Sequence, residues 1–186
     1  PFMGYMEADL FGIPARIFRI SFSGELAYEI NVASNFGTFM WEKTIEQGQQ
    51  FNIQPYGTEA LSNLRIEMGH VAGPELDGRT IPYDVSLEGL VSKKKDFVGK
   101  RSLNRKAFTS SNRQKVVGLV PIDKKTVIPE GSHLVKDAKA KLPNPKLGHI
   151  SSSCWSVEYN NPFALAILQD GKNMIGEKLY AFSPLQ

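Results

Sequence analysis

Apolar and polar residues alternate on both sides of a glycine near the start of the chain. Apolar side chains occupy every second position over residues 18–22, and after Gly24 the alternation largely resumes over 27–32. A period of two is typical of a strand with one buried face, and the glycine predicts a turn between two such strands. The earlier part of this stretch, residues 6–22, is predicted as one strand broken near Gly12-Ile13-Pro14, because proline removes a ladder donor.

Two later segments carry apolar residues at the spacing of amphipathic helices. The first helix is predicted over residues 35–46, with Ser34-Asn35 as its N-cap and Gly48 as its end. The second is predicted over 59–68 and runs into Gly69.

The rest of the chain is predicted to be poor in helix. Residues 73–82 are rich in glycine and proline, which predicts a long loop of a kind that is often functional. A short helix is predicted around 102–107, and 109–112 form a polar break. Beyond it, turn residues such as Pro143-Asn144-Pro145 separate five predicted strands: 116–120, 133–136, 147–153, 163–168 and 178–182. The pattern predicts an α+β first part, residues 1–110, and a small β-barrel or sandwich, residues 111–186.

Composition places the chain among ordinary globular proteins. It has 186 residues, 41% hydrophobic and 22% charged, and a net charge of +3 that is too small to argue for nucleic acid. The lysine-rich run 93–101 contains few aromatic residues, so a solvated charged face is favoured over nucleic-acid binding. No apolar run reaches the roughly 20 residues that a membrane helix needs, so we expect no transmembrane segment.

Cysteine and histidine usage argues against several kinds of site. The single cysteine, Cys154, excludes an internal disulfide and favours a reducing, cytoplasmic location. We interpret it as a small core residue rather than a nucleophile. His70, His133 and His149 lie far apart in the sequence, so no metal site is predicted. Because the chain has neither an initiator methionine nor a signal-like start, and ends on an apolar run, we expect it to be part of a longer protein.

One acidic residue stands out in the strand pattern. Glu29 lies between Tyr28 and Ile30 in the second predicted strand. An ionised carboxylate is costly to bury unless something satisfies it, and alternation by itself favours a position facing solvent. The chain has no G-x-S-x-G, Walker A or G-x-G-x-x-G motif that would indicate a nucleophilic serine or a nucleotide site.

Four motifs in order resemble the aminomethyltransferase family, whose founder is the T-protein of the glycine cleavage system. They are SFSGELAYEI at 21–30, PYGTEAL with LRIE at 55–67, KKDFVGKRSL at 94–103 and GHISSSCWS at 148–156. The resemblance is closest to the C-terminal region of sarcosine oxidase α subunits. It implies the end of a folate-binding α+β core with ferredoxin-like elements over 1–110, and a small C-terminal β-barrel over 111–186.

The resemblance also implies an activity and its partners. Such an enzyme transfers the one-carbon unit of an N-methyl amine such as sarcosine to tetrahydrofolate, giving 5,10-methylenetetrahydrofolate. Other subunits of a hetero-oligomeric oxidase are implied as partners, with flavin and NAD on other domains or subunits. Neither nucleic acid nor a membrane is expected as a partner.

The same resemblance assigns the site residues. In the family motif S/T-G-E-x-x-x-E-I the second glutamate holds the pterin ring, and here that residue is Glu29. Tyr28 is a weaker candidate, since alternation points it the other way. Leu61 stands where glycine-cleavage enzymes have an arginine that contacts the folate's glutamyl tail, and Arg65 is interpreted as structural. The family's catalytic aspartate lies in a preceding segment, so no residue here is assigned a catalytic role.

Several alternatives stay open at this point. One is the glycine-cleavage aminomethyltransferase itself. Another is a folate-binding accessory protein of iron-sulfur cluster maintenance, although its K-G-C-Y-x-G-Q-E signature is replaced here by residues 94–101. A third is a folate-dependent demethylase that transfers a methyl group from another solute. A nucleic-acid module is the least supported.

Overall fold

The computed structural model describes residues 1–139 and 145–183, which mix helices with two separate sheets. They form two compact units, Pro1–His70 and Val71–Gln186. The mixed α and β composition is therefore confirmed. The domain boundary near residue 110 stays a prediction, and most of the predicted turn at 143–145 lies outside the described residues.

The first unit contains an antiparallel three-stranded sheet in the order β1-β2-β3. Its strands are β1 (Tyr5–Leu10), β2 (Ile13–Phe18) and β3 (Glu29–Asn31). β1 and β2 form a hairpin rather than one interrupted strand, because the chain reverses at Gly12, whose φ is 81°. The backbone N–H of Gly12 donates a hydrogen bond of 2.7 Å to the Asp9 carboxylate, which fixes this turn.

The turn around Gly24 is longer than the alternation predicts. β2 ends at Phe18 and β3 begins only at Glu29, so residues 19–28 lie outside the strands. The Oγ of Ser21 accepts a 2.9 Å hydrogen bond from the N–H of Gly24, which has a φ of 90°. Hydrogen bonds from side chains to the backbone compete with the hydrogen bonds of the sheet. The bond to Ser21 therefore favours a turn here, although the hydrophobic alternation predicts a strand.

Both helices of the first unit are confirmed, as α1 (Gly37–Gly48) and α2 (Thr58–Met68). The predicted N-cap of α1 is wrong, because Ser34–Phe36 instead form a 3-10 turn without a capping side chain. α2 ends at Gly69, whose φ of 75° suits a glycine C-cap. Among the described residues, no helix has both the length and the apolar composition to cross a membrane.

The second unit begins with the predicted loop at 73–82, and three 3-10 turns lie between residues 73 and 90. These turns are Gly73–Glu75, Pro82–Val85 and Glu88–Leu90. The short helix α3 (Lys100–Leu103) follows, beginning and ending earlier than the predicted 102–107.

All five predicted strands of the second unit are present in one antiparallel sheet, in the order β4-β7-β6-β5-β8. The strands are β4 (Gln114–Leu119), β5 (His133–Val135), β6 (Gly148–Ser156), β7 (Asn161–Gln169) and β8 (Tyr180–Phe182). Within the described residues β4 and β8 are not paired with each other, so a closed barrel is not confirmed. Buried Leu134, Ile150 and Leu168 form the centre of the core on this sheet.

Close packing between β6 and β7 predicts a strong effect at Gly148. A Cβ at this position would lie 2.1 Å from the carbonyl oxygen of Ile167 and 2.9 Å from the Cα of Leu168. Backbone atoms cannot move aside as a side chain can, so we expect Gly148→Ala to lower the free energy of unfolding by about 1–3 kcal/mol or more in urea titrations. Gly118→Ala in β4 is the matched control, because its Cβ would meet nothing within 4 Å. Equal losses in the two variants would contradict this packing.

Candidate functional site

Glu29 lies at the end of a row of aromatic residues on one face of the first sheet. It is paired directly with Phe18 in β2, and Phe18 is paired with Tyr5 in β1. Directly opposed residues of antiparallel strands share a face. The Tyr5 and Phe18 rings stack with their centroids 5.8 Å apart and their planes at 23°. The carboxylate therefore lies beside a flat apolar surface.

The Glu29 side chain is exposed. It makes no hydrogen bond or ion pair within the part of the chain that the structure describes. A carboxylate in this state has both oxygens available to accept hydrogen bonds from a ligand. Exposure agrees with the position that alternation favours and also with a ligand-binding role, so the assignment of Glu29 to folate stays a prediction.

Tyr28 lies just before β3 and lines a cavity with residues of β1 and β2. It lines a cavity of about 450 Å³ together with Ile17 and Arg19, and Ile17 alternates with Phe18 along β2. The Arg19 guanidinium lies 5.6 Å from the Tyr28 ring centroid and 5.7 Å from that of Phe2, in cation–π range of both rings. Glu29 is not among the residues that line this cavity. Tyr28 and Glu29 therefore do not line this cavity together.

The turn that leads into β3 is anchored on the C-terminal end of α2. A Cβ added to Gly24 would lie 2.6 Å from the Sδ of Met68 and would have to displace this flexible side chain. The Phe22 and His70 rings meet edge to face with their centroids 5.0 Å apart. These contacts restrain the turn that precedes Glu29.

Arg65 is structural, as interpreted from the sequence. Its side chain is only 4% exposed in α2. Its Nη1 donates a 3.4 Å hydrogen bond to the backbone carbonyl of His70. The guanidinium is therefore shielded from solvent, which agrees with a structural role. Leu61, one turn earlier in α2, is half-buried.

The histidines are not all as far apart as their sequence positions indicate. β5 and β6 place His133 directly opposite His149. Burial lowers the pKa of His149, and the nearby positive charge of Lys146 lowers it further. Among the residues that the structure describes, no group of three or more His, Cys, Asp or Glu side chains could hold a metal ion. Cys154 is buried in β6, which confirms its interpretation as a core residue.

Two buried carboxylates in the second unit were missed by the sequence reasoning. Glu75 is fully buried, and its Oε1 accepts a 2.6 Å hydrogen bond from the hydroxyl of Ser152, within the fourth family motif. Asp84 is 2% exposed and accepts two hydrogen bonds from Arg113, of 2.7 Å from Nε and 2.5 Å from Nη2. These bonds raise the pKa of the Arg113 guanidinium. Nothing in the local sequence pattern connects either pair, because the partners lie far apart along the chain.

Residues 1–95 match the family model described as the GCVT N-terminal domain. Sarcosine oxidase subunit alpha of Rhizobium meliloti (strain 1021) is 42% identical over 189 residues, which cover 100% of this chain and 19% of that protein. An aminomethyltransferase of Chloroherpeton thalassium (strain ATCC 35110 / GB-78) is 29% identical, over 95% of this chain and 47% of its own length. The chain thus spans about a fifth of the first relative and under half of the second.

The crystal structure of glycine cleavage system aminomethyltransferase T from Bartonella henselae matches this structure with a TM-score of 0.74. The match covers 92% of this chain and 46% of that one. Because the sequences are only 22% identical, the match shows a shared fold and nothing about function. The two sheets and two longer helices are thus those of the aminomethyltransferase fold. Since the family model covers half of the sequence, the chain belongs to the GCVT N-terminal domain family, the aminomethyltransferase family that its motifs resemble.

Proposed function

We propose that this chain is the folate-binding region of a sarcosine-oxidase-like enzyme. The enzyme transfers the one-carbon unit of an N-methyl amine to tetrahydrofolate, giving 5,10-methylenetetrahydrofolate. The observation that carries the proposal is the 42% identity to a sarcosine oxidase subunit alpha along the whole chain, against 29% to an aminomethyltransferase. Other subunits of a hetero-oligomeric oxidase are the proposed partners, with flavin and NAD on other domains or subunits.

Glu29 is the proposed pterin residue. The 2-amino group and the neighbouring ring N–H of a pterin form a pair of donors, and a carboxylate can accept both in parallel charge-assisted bonds. Glu29 offers two oxygens without a protein partner in the described residues, next to the stacked rings of Tyr5 and Phe18. An aromatic surface beside paired acceptors suits a flat heterocycle with polar edges. These residues therefore fit the folate that the proposal requires.

The proposed contribution of this chain to the reaction is positional. When bound, tetrahydrofolate supplies the nitrogen that captures the one-carbon unit. Glu29 holds the pterin by its edge and does not transfer the proton. Correct positioning and exclusion of water are sufficient to favour capture over release of the carbon into solvent. Tyr28 is a weaker folate candidate, since its ring lies 5.6 Å from the Arg19 guanidinium and lines a cavity that Glu29 does not line.

A second candidate function is that of a glycine-cleavage aminomethyltransferase. The 29% identity to an aminomethyltransferase of Chloroherpeton thalassium, over 95% of this chain, favours it. Both candidates use the same folate site and differ in the donor of the one-carbon unit. The donor therefore discriminates between them.

The fate of the carbon tests the proposal. The full-length protein is given sarcosine labelled in its N-methyl group, with and without tetrahydrofolate, and products are measured by mass spectrometry. We expect labelled formaldehyde without folate and labelled 5,10-methylenetetrahydrofolate with it. Oxidation of sarcosine that releases only formaldehyde in the presence of folate would contradict the proposal. Product from a carrier-bound aminomethyl group, with no sarcosine turnover, would favour the second candidate.

A further inference from the structure

A cavity of about 1100 Å³ lies within the second unit, and we name it the basic cleft. The lysines that line it are Lys93, Lys94, Lys95, Lys100 and Lys115. Among the described lining residues Glu88 is the only acidic one, and its Oε1 lies 3.8 Å from the Nζ of Lys115. The cleft therefore carries a surplus of positive charge.

Local hydrogen bonds fold the lysine run around this cleft. The N–H of Lys95 donates a 2.8 Å hydrogen bond to the Oγ of Ser92. The Nζ of Lys100 in turn donates a 2.8 Å hydrogen bond to the carbonyl oxygen of Lys95. Gly99, with a φ of 95°, lets the backbone turn into α3. The run therefore has a defined conformation that places its lysines along one cavity.

Most of the positive charge in the cleft has no counter-charge. Lys93, Lys94 and Lys95 are exposed, and within the described residues their side chains make no hydrogen bond or ion pair. A cleft lined by charges of one sign attracts partners of the opposite sign and speeds their encounter. Because each exposed ion pair adds little affinity, such association is reversible.

The lining of the cleft does not match compact phosphates or nucleic-acid strands. No arginine is among the described lining residues, and α3 has only four residues, so the bidentate fork and the helix N-terminus that commonly bind phosphate are both missing there. Single-stranded nucleic acids are bound by aromatic side chains that stack on successive bases. The aromatic residues of the described lining are half-buried Tyr83 and Phe97, whose ring centroid lies 6.0 Å from the Nζ of Lys100. The cleft is therefore poorly built for either kind of ligand.

Apolar side chains lie among the charged groups of the cleft. Val91, Phe97 and Leu103 line it together with the lysines. Ammonium groups act as separate point charges, which suits carboxylates that are spaced along a chain. The apolar lining suits aliphatic side chains between those carboxylates. A polypeptide that mixes aspartate or glutamate with large aliphatic residues offers both kinds of contact.

We propose that the basic cleft is a reversible docking site for an acidic segment of another polypeptide, one that carries large aliphatic side chains between its carboxylates. The lysines pair with the carboxylates, and the apolar lining receives an aliphatic side chain. All the residues involved lie between 83 and 115, within the second unit. The proposal is therefore independent of Glu29 and of folate binding.

Calorimetry on the full-length protein with two synthetic peptides tests the proposal. One peptide has the sequence EELEELEE with blocked termini, and the other has serine in place of both leucines. We expect the leucine peptide to bind about tenfold more tightly, because only it can bury an aliphatic side chain in the cleft. Both affinities are expected to fall as salt is added, since exposed charges are screened.

A pair of triple variants locates the binding in the cleft. Lys93→Gln, Lys94→Gln, Lys95→Gln is expected to weaken binding of the leucine peptide about tenfold or more, since each exposed ion pair contributes up to a few-fold in affinity. The matched control is Lys124→Gln, Lys125→Gln, Lys139→Gln, which removes the same charge from exposed positions outside the cleft. We expect the control to change the affinity by less than about twofold.

Several results would overturn this assignment. No binding of the leucine peptide would remove the docking site, and equal affinity of the two peptides would remove the apolar contact on which the choice of partner rests. Equal weakening in the two triple variants would show attraction to the overall charge of the protein instead of binding in the cleft. Tighter binding of tripolyphosphate would assign the cleft to a small phosphate ligand, and tighter binding of a single-stranded oligonucleotide would assign it to nucleic acid.

Discussion

Arg113→Met is expected to lower the free energy of unfolding by about 3–5 kcal/mol, because it leaves the buried Asp84 carboxylate without its charged partner. Asp84 is 2% exposed and receives two hydrogen bonds from Arg113; among the described residues, only the N–H of Ile81 donates to it besides, over 3.1 Å. Methionine keeps much of the length and apolar volume of arginine, so the loss reports the charge and the hydrogen bonds. Urea unfolding of the full-length protein measures it.

A double-mutant cycle separates the pair from its surroundings. Arg113→Met combined with Asp84→Asn removes both charges, and we expect the double variant to be more stable than Arg113→Met alone. Arg16→Met is the control, since Arg16 and Glu7 form an exposed pair whose side chains are 66% and 69% accessible. Its loss is expected to stay below about 1 kcal/mol. Additive effects of Asp84→Asn and Arg113→Met would show that the two residues do not interact as described.

The same pair ties the loop region to the second sheet. Arg113 immediately precedes β4, and Asp84 lies in the 3-10 turn Pro82–Val85. Lys115 in β4 donates to the carbonyl of Tyr83, next to Asp84.

The second large expected effect concerns Glu29. Glu29→Gln is expected to weaken tetrahydrofolate binding to the full-length protein by about 30-fold or more, since hydrogen bonds to a charged group contribute about 1.5–3 kcal/mol. Glutamine keeps the size of glutamate but turns an NH₂ donor toward a pair of donors. Glu29→Ala, which removes both oxygens, is expected to bind no better. Isothermal calorimetry measures the affinities.

Glu25→Gln is the matched control for this experiment. Glu25 is the first glutamate of the same motif, is exposed, and lies in the turn before β3. We expect it to leave folate affinity within about twofold of the parent protein, as for surface changes away from a site. Because Glu29 is exposed and unpaired within the described residues, its variants are expected to unfold at the same temperature as the parent. Unchanged affinity in Glu29→Gln would remove Glu29 from the site.

The parts of the fold that follow from local chemistry could be predicted. The five strands of the second sheet were recognised because turn residues separate short apolar runs, and α2 because its apolar residues share one face and Gly69 ends it. The length of β3 could not be predicted, since the serines of the 21–25 turn take up backbone groups that the alternation assigned to the ladder. The hydrophobic pattern alone does not predict such hydrogen bonds between side chains and the backbone.

The candidate site could be predicted from the hydrophobic pattern only in part. Alternation predicts opposite faces for Glu29 and Tyr28 and favours solvent over a ligand for Glu29, and only the family motif indicates the ligand role. The buried Asp84–Arg113 pair depends on a contact between residues that lie far apart in the sequence. A sequence pattern gives the charge of each side chain but not which charges come together in the fold.

A structure of the full-length protein with tetrahydrofolate bound tests the central claim most directly. The account predicts both carboxylate oxygens of Glu29 about 2.7–2.9 Å from the 2-amino and ring nitrogens of the pterin, the usual length of a charge-assisted hydrogen bond. A pterin bound elsewhere, with the Glu29 carboxylate still facing bulk water, would contradict it.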